Sequence, residues 1–158
     1  MVQSKKLSLI CFSGDFDKAV AMFTLASGAA AVGYEVNLFF TFWGYNIIKK
    51  YRGRGIQGTG FLARFFNFLL GGFKNLPLSR LNFFGLSPRL MSYMMRSQNV
   101  ATLGELVEAS VALGVNFYGC EMSQVILGTN DSDYLYIKER LGVARFLDIA
   151  EGGQVLFV

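Results

Sequence analysis

Apolar residues in this chain fall into two kinds of run. Short ones such as "KLSLICF" (6–12), "EVNLFFTF" (35–42), "VNFYGC" (115–120) and "QVLFV" (154–158) have the length and two-sided apolarity of buried strands. Between them lie longer stretches with helical spacing. "DKAVAMFTLASGAAAVG" (17–33) carries helix formers, with Asp15 or Asp17 placed to cap its first turn and Ala26, Ala29 and Ala30 small enough for close approach to a sheet. "TLGELVEASVALG" (102–114) puts Leu103, Leu106, Val107 and Leu113 on one stripe, with Thr102 and Glu105 in capping-box spacing and Gly114 as its stop. "MSQVILG" (122–128) and "VARFLDIAEGG" (143–153) predict two further helices. The stretch "TNDSDYLYIKERLG" (129–142) is compatible with a loop, a helical turn or a short extra strand.

Apolar strands alternating with helices define an α/β protein: a three-layer α/β/α sandwich on a mostly parallel sheet of four to five strands. Residues 1–158 read as one domain, with 45–98 a helical insertion in the crossover between the second and third main strands. In such a sheet, sites form beyond the carboxyl ends of the strands. The ends legible here put Ser13, Gly14, Thr41, Trp43, Gly119, Cys120, Met122 and Ser123 at one rim.

Charge separates the insertion from the rest. Residues 45–98 hold nine of the 15 Lys and Arg and no acid, whereas the remainder has six basic against 11 acidic residues. Ten aromatics from Tyr45 to Tyr93 share that segment, and "GFLARFFNFLLGGF" (60–73) is apolar almost all round a helix, so it is expected to be buried against something. A helical cap or subunit interface is the plainest reading. A partner-protein groove or peripheral contact with an anionic membrane are the others. Nucleic acid is not expected, because the aromatics cluster in apolar runs and no binding motif is present.

Composition narrows the chemistry. The chain has no histidine, which excludes Ser/His/Asp and Cys/His catalysis and mixed Cys/His zinc sites. Two cysteines make neither a disulfide framework nor a four-thiolate metal site, so no metal or other cofactor is expected. "GRGIQGTG" (53–60) lacks the Lys-Ser/Thr pair of a phosphate-binding loop, and "SGDFD" (13–17) has too few glycines for a dinucleotide loop. No apolar run reaches membrane-spanning length and no secretory signal core is evident, which predicts a cytoplasmic protein, with membrane association left open. Cys11, inside an apolar strand, reads as packing. Cys120 stands between packing and reactivity: amides of the following helix and Ser123 would favour its thiolate, whereas neighbouring Glu121 opposes it.

"FFTFWG" (39–44) together with "GCEMS" (119–123), set between the first helix and the closing "GGQVLFV", resembles the DsrE/DsrF/DsrH-like family of small sulfur-relay proteins. The resemblance covers about residues 5–44 and 100–158. It implies a three-layer α/β/α fold, a trimer or hexamer, and a cysteine after the third main strand that accepts sulfur as a persulfide. By position that residue is Cys120; the resemblance gives Cys11 no role. It also implies exchange with rhodanese-like or TusA-like donor or acceptor proteins, by thiolate chemistry that needs no general base of its own.

Overall fold

The computed structural model describes residues 5–50, 59–70, 72–73, 76–80 and 86–158. Most of the glycine-rich stretch 53–60, together with Arg52, Arg54 and Lys74, lies outside them. Five strands, β1 (Lys6–Cys11), β2 (Glu35–Phe40), β3 (Asn116–Cys120), β4 (Glu139–Leu141) and β5 (Gln154–Phe157), form one all-parallel sheet in the order β4-β3-β2-β1-β5. The central strands are the most apolar, as burial on both faces requires.

Helices α1 (Phe16–Ala31) and α4 (Leu103–Ala112) pack together on one face. Phe40 and Phe117 project to that side, and the Phe117 ring meets Phe23 of α1 at 6.0 Å. Pleating sends the alternate residues to the other face, where Phe39 stacks on Phe146 of α6 (Val143–Ala150) at 4.4 Å. The core therefore lies in two layers either side of β2, and the sandwich read from the sequence is the fold.

Caps follow the sequence in part. Thr102 and Glu105 make the reciprocal box expected of them, and Gly114 turns the chain with φ +77°. Asp15 occupies the N-cap of α1, but its carboxylate accepts from Ser13 Oγ (2.6 Å) and pairs with Lys18 instead of capping the helix. Asp17 accepts from both the backbone N–H and the hydroxyl of Ser79. The ambiguous stretch 129–142 contains a helical turn at Asp131–Asp133 and β4.

In the single chain the insertion leaves much of its apolar helix uncovered. After a 3-10 segment at Phe42–Ile48, its described helices are α2 (Phe61–Leu70) and α3 (Leu86–Ser97). Phe61, Leu62, Phe65, Phe66 and Phe68 are exposed, and no residue of α3 is buried. Among the described side chains of α2, the buried one is polar. Asn67 is buried; its amide donates to Leu127 O (2.9 Å) and its carbonyl accepts from Lys49 Nζ (2.9 Å). Hydrogen bonds from Asn67 tie this helix to the domain.

Candidate functional site

The carboxyl rim of the sheet is assembled from three chain segments. At the end of β1, Ser13 is buried and Gly14 lies so close to the Phe42–Ile48 segment that a Cβ would sit 2.6 Å from Trp43 O. Gly44 is tighter still: a Cβ there would meet Cys11 O at 2.1 Å, so only glycine lets this segment fold across the strand end. At the end of β2, Thr41 Oγ1 and Ser123 Oγ share a buried hydrogen bond of 2.8 Å, joining β2 to α5 (Glu121–Leu127). Trp43 is partly exposed and its ring lies 6.3 Å from Phe66 of α2. Met122 is exposed on α5.

Cys120 is the last residue of β3 and the N-cap of α5, the junction expected of it. Two features of its surroundings bear on the choice between packing and reactivity. The residue is 1% exposed, and its side chain makes no capping bond with the first-turn amides of α5. The helix is two turns long and ends at Gly128 in the left-handed region, with Gln124 carbonyl accepting from Thr129 N. The Ser123 hydroxyl is taken up in its shared hydrogen bond with Thr41. Gln124 is fully buried; its Nε2 donates to Asp131 Oδ1 (2.9 Å), while its Oε1 has no partner among the described residues.

Tyr45 is the residue the sequence did not single out. Its hydroxyl donates to Cys120 O (3.0 Å) and occupies the space above Gly119, where a Cβ would stand 2.4 Å from the phenolic oxygen. Burial, reinforced by neighbouring Tyr134, pushes the phenol well above the usual tyrosine range, so it stays a donor. The only signal available was its place directly after "FFTFWG". Lys49 is similarly buried, and burial lowers its ammonium below the usual lysine range, partly opposed by Asp133.

The second thiol is a different object. Cys11 projects to the α1 side with Phe40, whereas Cys120 has the pleat parity of Tyr118 and Phe39 on the α6 side; both are free thiols. Burial pushes the Cys11 thiol up to about 12, against a small opposing pull from Lys18, and its Sγ donates to Ser13 O (3.7 Å). It is a packed, protonated group. A cavity of about 470 Å³ lies beside α3 and the start of α4, lined by residues including Phe16, Arg89, Tyr93 and Leu103, and by none of the predicted rim residues.

An α/β/α domain with an all-parallel sheet and a cysteine at the β3 to α5 junction defines a thiol-bearing sandwich of a recurrent kind. Over residues 3–157 the chain matches the DsrE/DsrF/DrsH-like family, and it belongs to that family. It is 37% identical to the uncharacterized protein YrkE of Bacillus subtilis, covering 99% of this chain and 98% of the relative. It is 31% identical to the sulfur carrier protein DsrE2 of Allochromatium vinosum, covering 94% of each. Its fold is also that of MTH1491 from Methanobacterium thermoautotrophicum, a protein of unknown function, at a TM-score of 0.52 and 11% identity over 98% of this chain and 100% of the other. Family membership and the sulfur-carrier relative support a sulfur-relay role in general terms.

Proposed function

We propose that the protein accepts sulfane sulfur as a persulfide on Cys120 and passes it to a partner protein. The observation that carries this is the place of Cys120 at the carboxyl rim, directly ahead of α5, in a chain similar over nearly its whole length to a sulfur carrier. In the transfer, the Cys120 thiolate attacks the terminal sulfur of a donor persulfide. That sulfur moves to Cys120, the donor S–S bond breaks, and its electron pair leaves with the donor thiolate. The cycle has no net oxidant or reductant and no step that calls for histidine. Rhodanese-like and TusA-like proteins are the donor and acceptor classes, and a trimer or hexamer is the assembly. The edge strand β5, with Val155, Leu156 and Phe157 exposed, supports contact between copies.

Because Cys120 is buried, loading in this reading passes through displacement of α5, a short helix whose Met122, Val125 and Ile126 face outward. Incubation with a persulfide donor followed by intact mass measurement tests it. The expected result is addition of about 32 Da per sulfur atom, absent in Cys120→Ser and retained in Cys11→Ser. Wild-type protein that stays unmodified, or a Cys120→Ser variant that loads equally, overturns it.

A second reading is favoured by the exposed phenylalanines of α2. Here the molecule is an adaptor that docks through its basic, aromatic insertion on a membrane surface or protein complex, and Cys120 is incidental. A folded Cys120→Ser variant would then keep its docking and its biological role.

A further inference from the structure

Helix α3 turns charge, not hydrocarbon, toward the domain. None of its residues is buried, and its apolar side chains Leu86, Leu90 and Met94 are exposed. Arg89, Ser92, Tyr93 and Arg96 stand at i, i+3, i+4 and i+7, which is one face of a helix, and all four line the cavity of about 470 Å³. Both arginines are open to solvent as well, which places them at its mouth. The rest of the wall includes Phe16, Leu76 and Leu103, all buried members of the apolar core. Sites that hold small organic molecules have this composition, apolar walls with a few placed polar groups, and volumes of about 300–1,000 Å³.

The cations on this lining select the sign of the occupant. Neither Arg89 nor Arg96 forms an ion pair among the described residues, and segment 45–98 contains no acid to supply one. The carboxylates of the neighbouring helix starts are engaged elsewhere. Glu105 turns back on Thr102, accepting from its backbone N–H (2.7 Å) and its hydroxyl (2.8 Å). Those bonds, with a smaller contribution from Arg96, hold its carboxyl below the usual range. Asp17 is bonded to Ser79, and Asp15 to Ser13 and Lys18. No acid is among the described residues that line the cavity. A guanidinium keeps its charge at any pH the fold survives, and its planar fork of donors matches a carboxylate or a phosphate.

We infer that this cavity binds a small anionic amphiphile, a carboxylate or phosphate monoester on an apolar body, with its head at Arg89 and Arg96 and its body against Phe16, Leu76 and Leu103. The two arginines are two helical turns apart, about 10 Å along the axis, and their long side chains reach the mouth from either end. None of the predicted rim residues lines the cavity, so the site is separate from Cys120 and stands or falls independently of the sulfur reading. A bound molecule would touch both α3 and the start of α4 and so tie α3 to the domain.

Titration calorimetry of the full chain with octanoate and with octyl phosphate, each below its micelle concentration, tests this against octanol, which has the same chain and no charge. Expected is one-to-one binding of at least one of the anions, on the order of tenfold or more tighter than octanol. The anion that binds more tightly then identifies the head. Arg89→Gln and Arg96→Gln should each weaken that binding by about tenfold or more, as loss of a charge-assisted hydrogen bond does. Arg80→Gln removes an exposed cation that does not line the cavity and should bind as wild type does. Circular dichroism should be the same for all three variants; should one arginine variant of α3 unfold, the other supplies the comparison. Bound ligand should also slow amide hydrogen exchange across 86–97. The inference is overturned if neither anion binds at millimolar concentration, if octanol binds as tightly as the anions, or if Arg80→Gln weakens binding as much as Arg89→Gln does.

Discussion

Phe23, Phe40 and Phe146 are fully enclosed, whereas Phe61 and Phe65, on a helix of comparable apolarity, face outward. Residue type is the same in both sets; what differs is what the backbone offers them. The sheet and the helices α1, α4 and α6 make two layers that close over the first set, while α2 is held by hydrogen bonds on its inner side and leaves the second set uncovered. Apolar content thus serves cohesion in one region and leaves a surface to be covered in the other.

The contrast makes graded predictions. Phe23→Ala or Phe40→Ala should lower unfolding free energy by about 3–5 kcal/mol in urea titration, as expected for a cavity among enclosed rings. A loss under about 1 kcal/mol would mean that the core is not packed as described. Next in size is an alkaline effect. The Cys11 proton is held up to about 12 in the fold, against an ordinary value of 9.0. Between those values the unfolded chain releases a proton that the folded chain keeps, so this contribution is intact below pH 9 and is lost as pH rises toward 12. The slope is on the order of 1.4 kcal/mol per pH unit for one proton, and Cys11→Ala should remove it while the buried tyrosines leave a residual slope of the same sign.

Asn67→Ala should cost about 1–3 kcal/mol, because Lys49 and the Leu127 carbonyl lose their partner. It should also raise amide hydrogen exchange in α2 selectively. Phe61→Ser, at the other end of the scale, should change stability in urea titration by no more than about 0.5 kcal/mol. A large loss there would mean that the ring is covered in solution and that the two regions are less different than the single chain makes them.

The regular parts of the fold were legible because periodicity and local chemistry agree. The strand runs, the Thr102–Glu105 box and the stop at Gly114 each state their structure within a few residues. Segment 129–142 was not, since a single turn and a three-residue strand are too short to carry a period. Helix α2 was legible as a helix but not in its orientation: with apolar residues nearly all round, only Arg64 and Asn67 break the run, and a polar residue is ordinarily read as an outward one, which holds for Arg64 and fails for Asn67. For the site, sequence order alone put Cys120 at the end of β3. Its enclosure, and the Tyr45 hydroxyl on its carbonyl, depend on segments far apart in the chain meeting at the rim. The first-turn amides expected to bond the sulfur followed from its position ahead of a helix, but the conformation of that junction does not bring them to it.

Tyr45 reaches Cys120 O across 75 positions of chain, and that span orders assembly in time. During synthesis β1 and β2 can pair as soon as both have emerged, but the phenol has nothing to grip until residue 120 is made, and β5 joins the far edge of the sheet last of all. The thiol rim is therefore among the final parts of the molecule to take shape, since the seat for Cys120 cannot be finished until β3 and the start of α5 have been made.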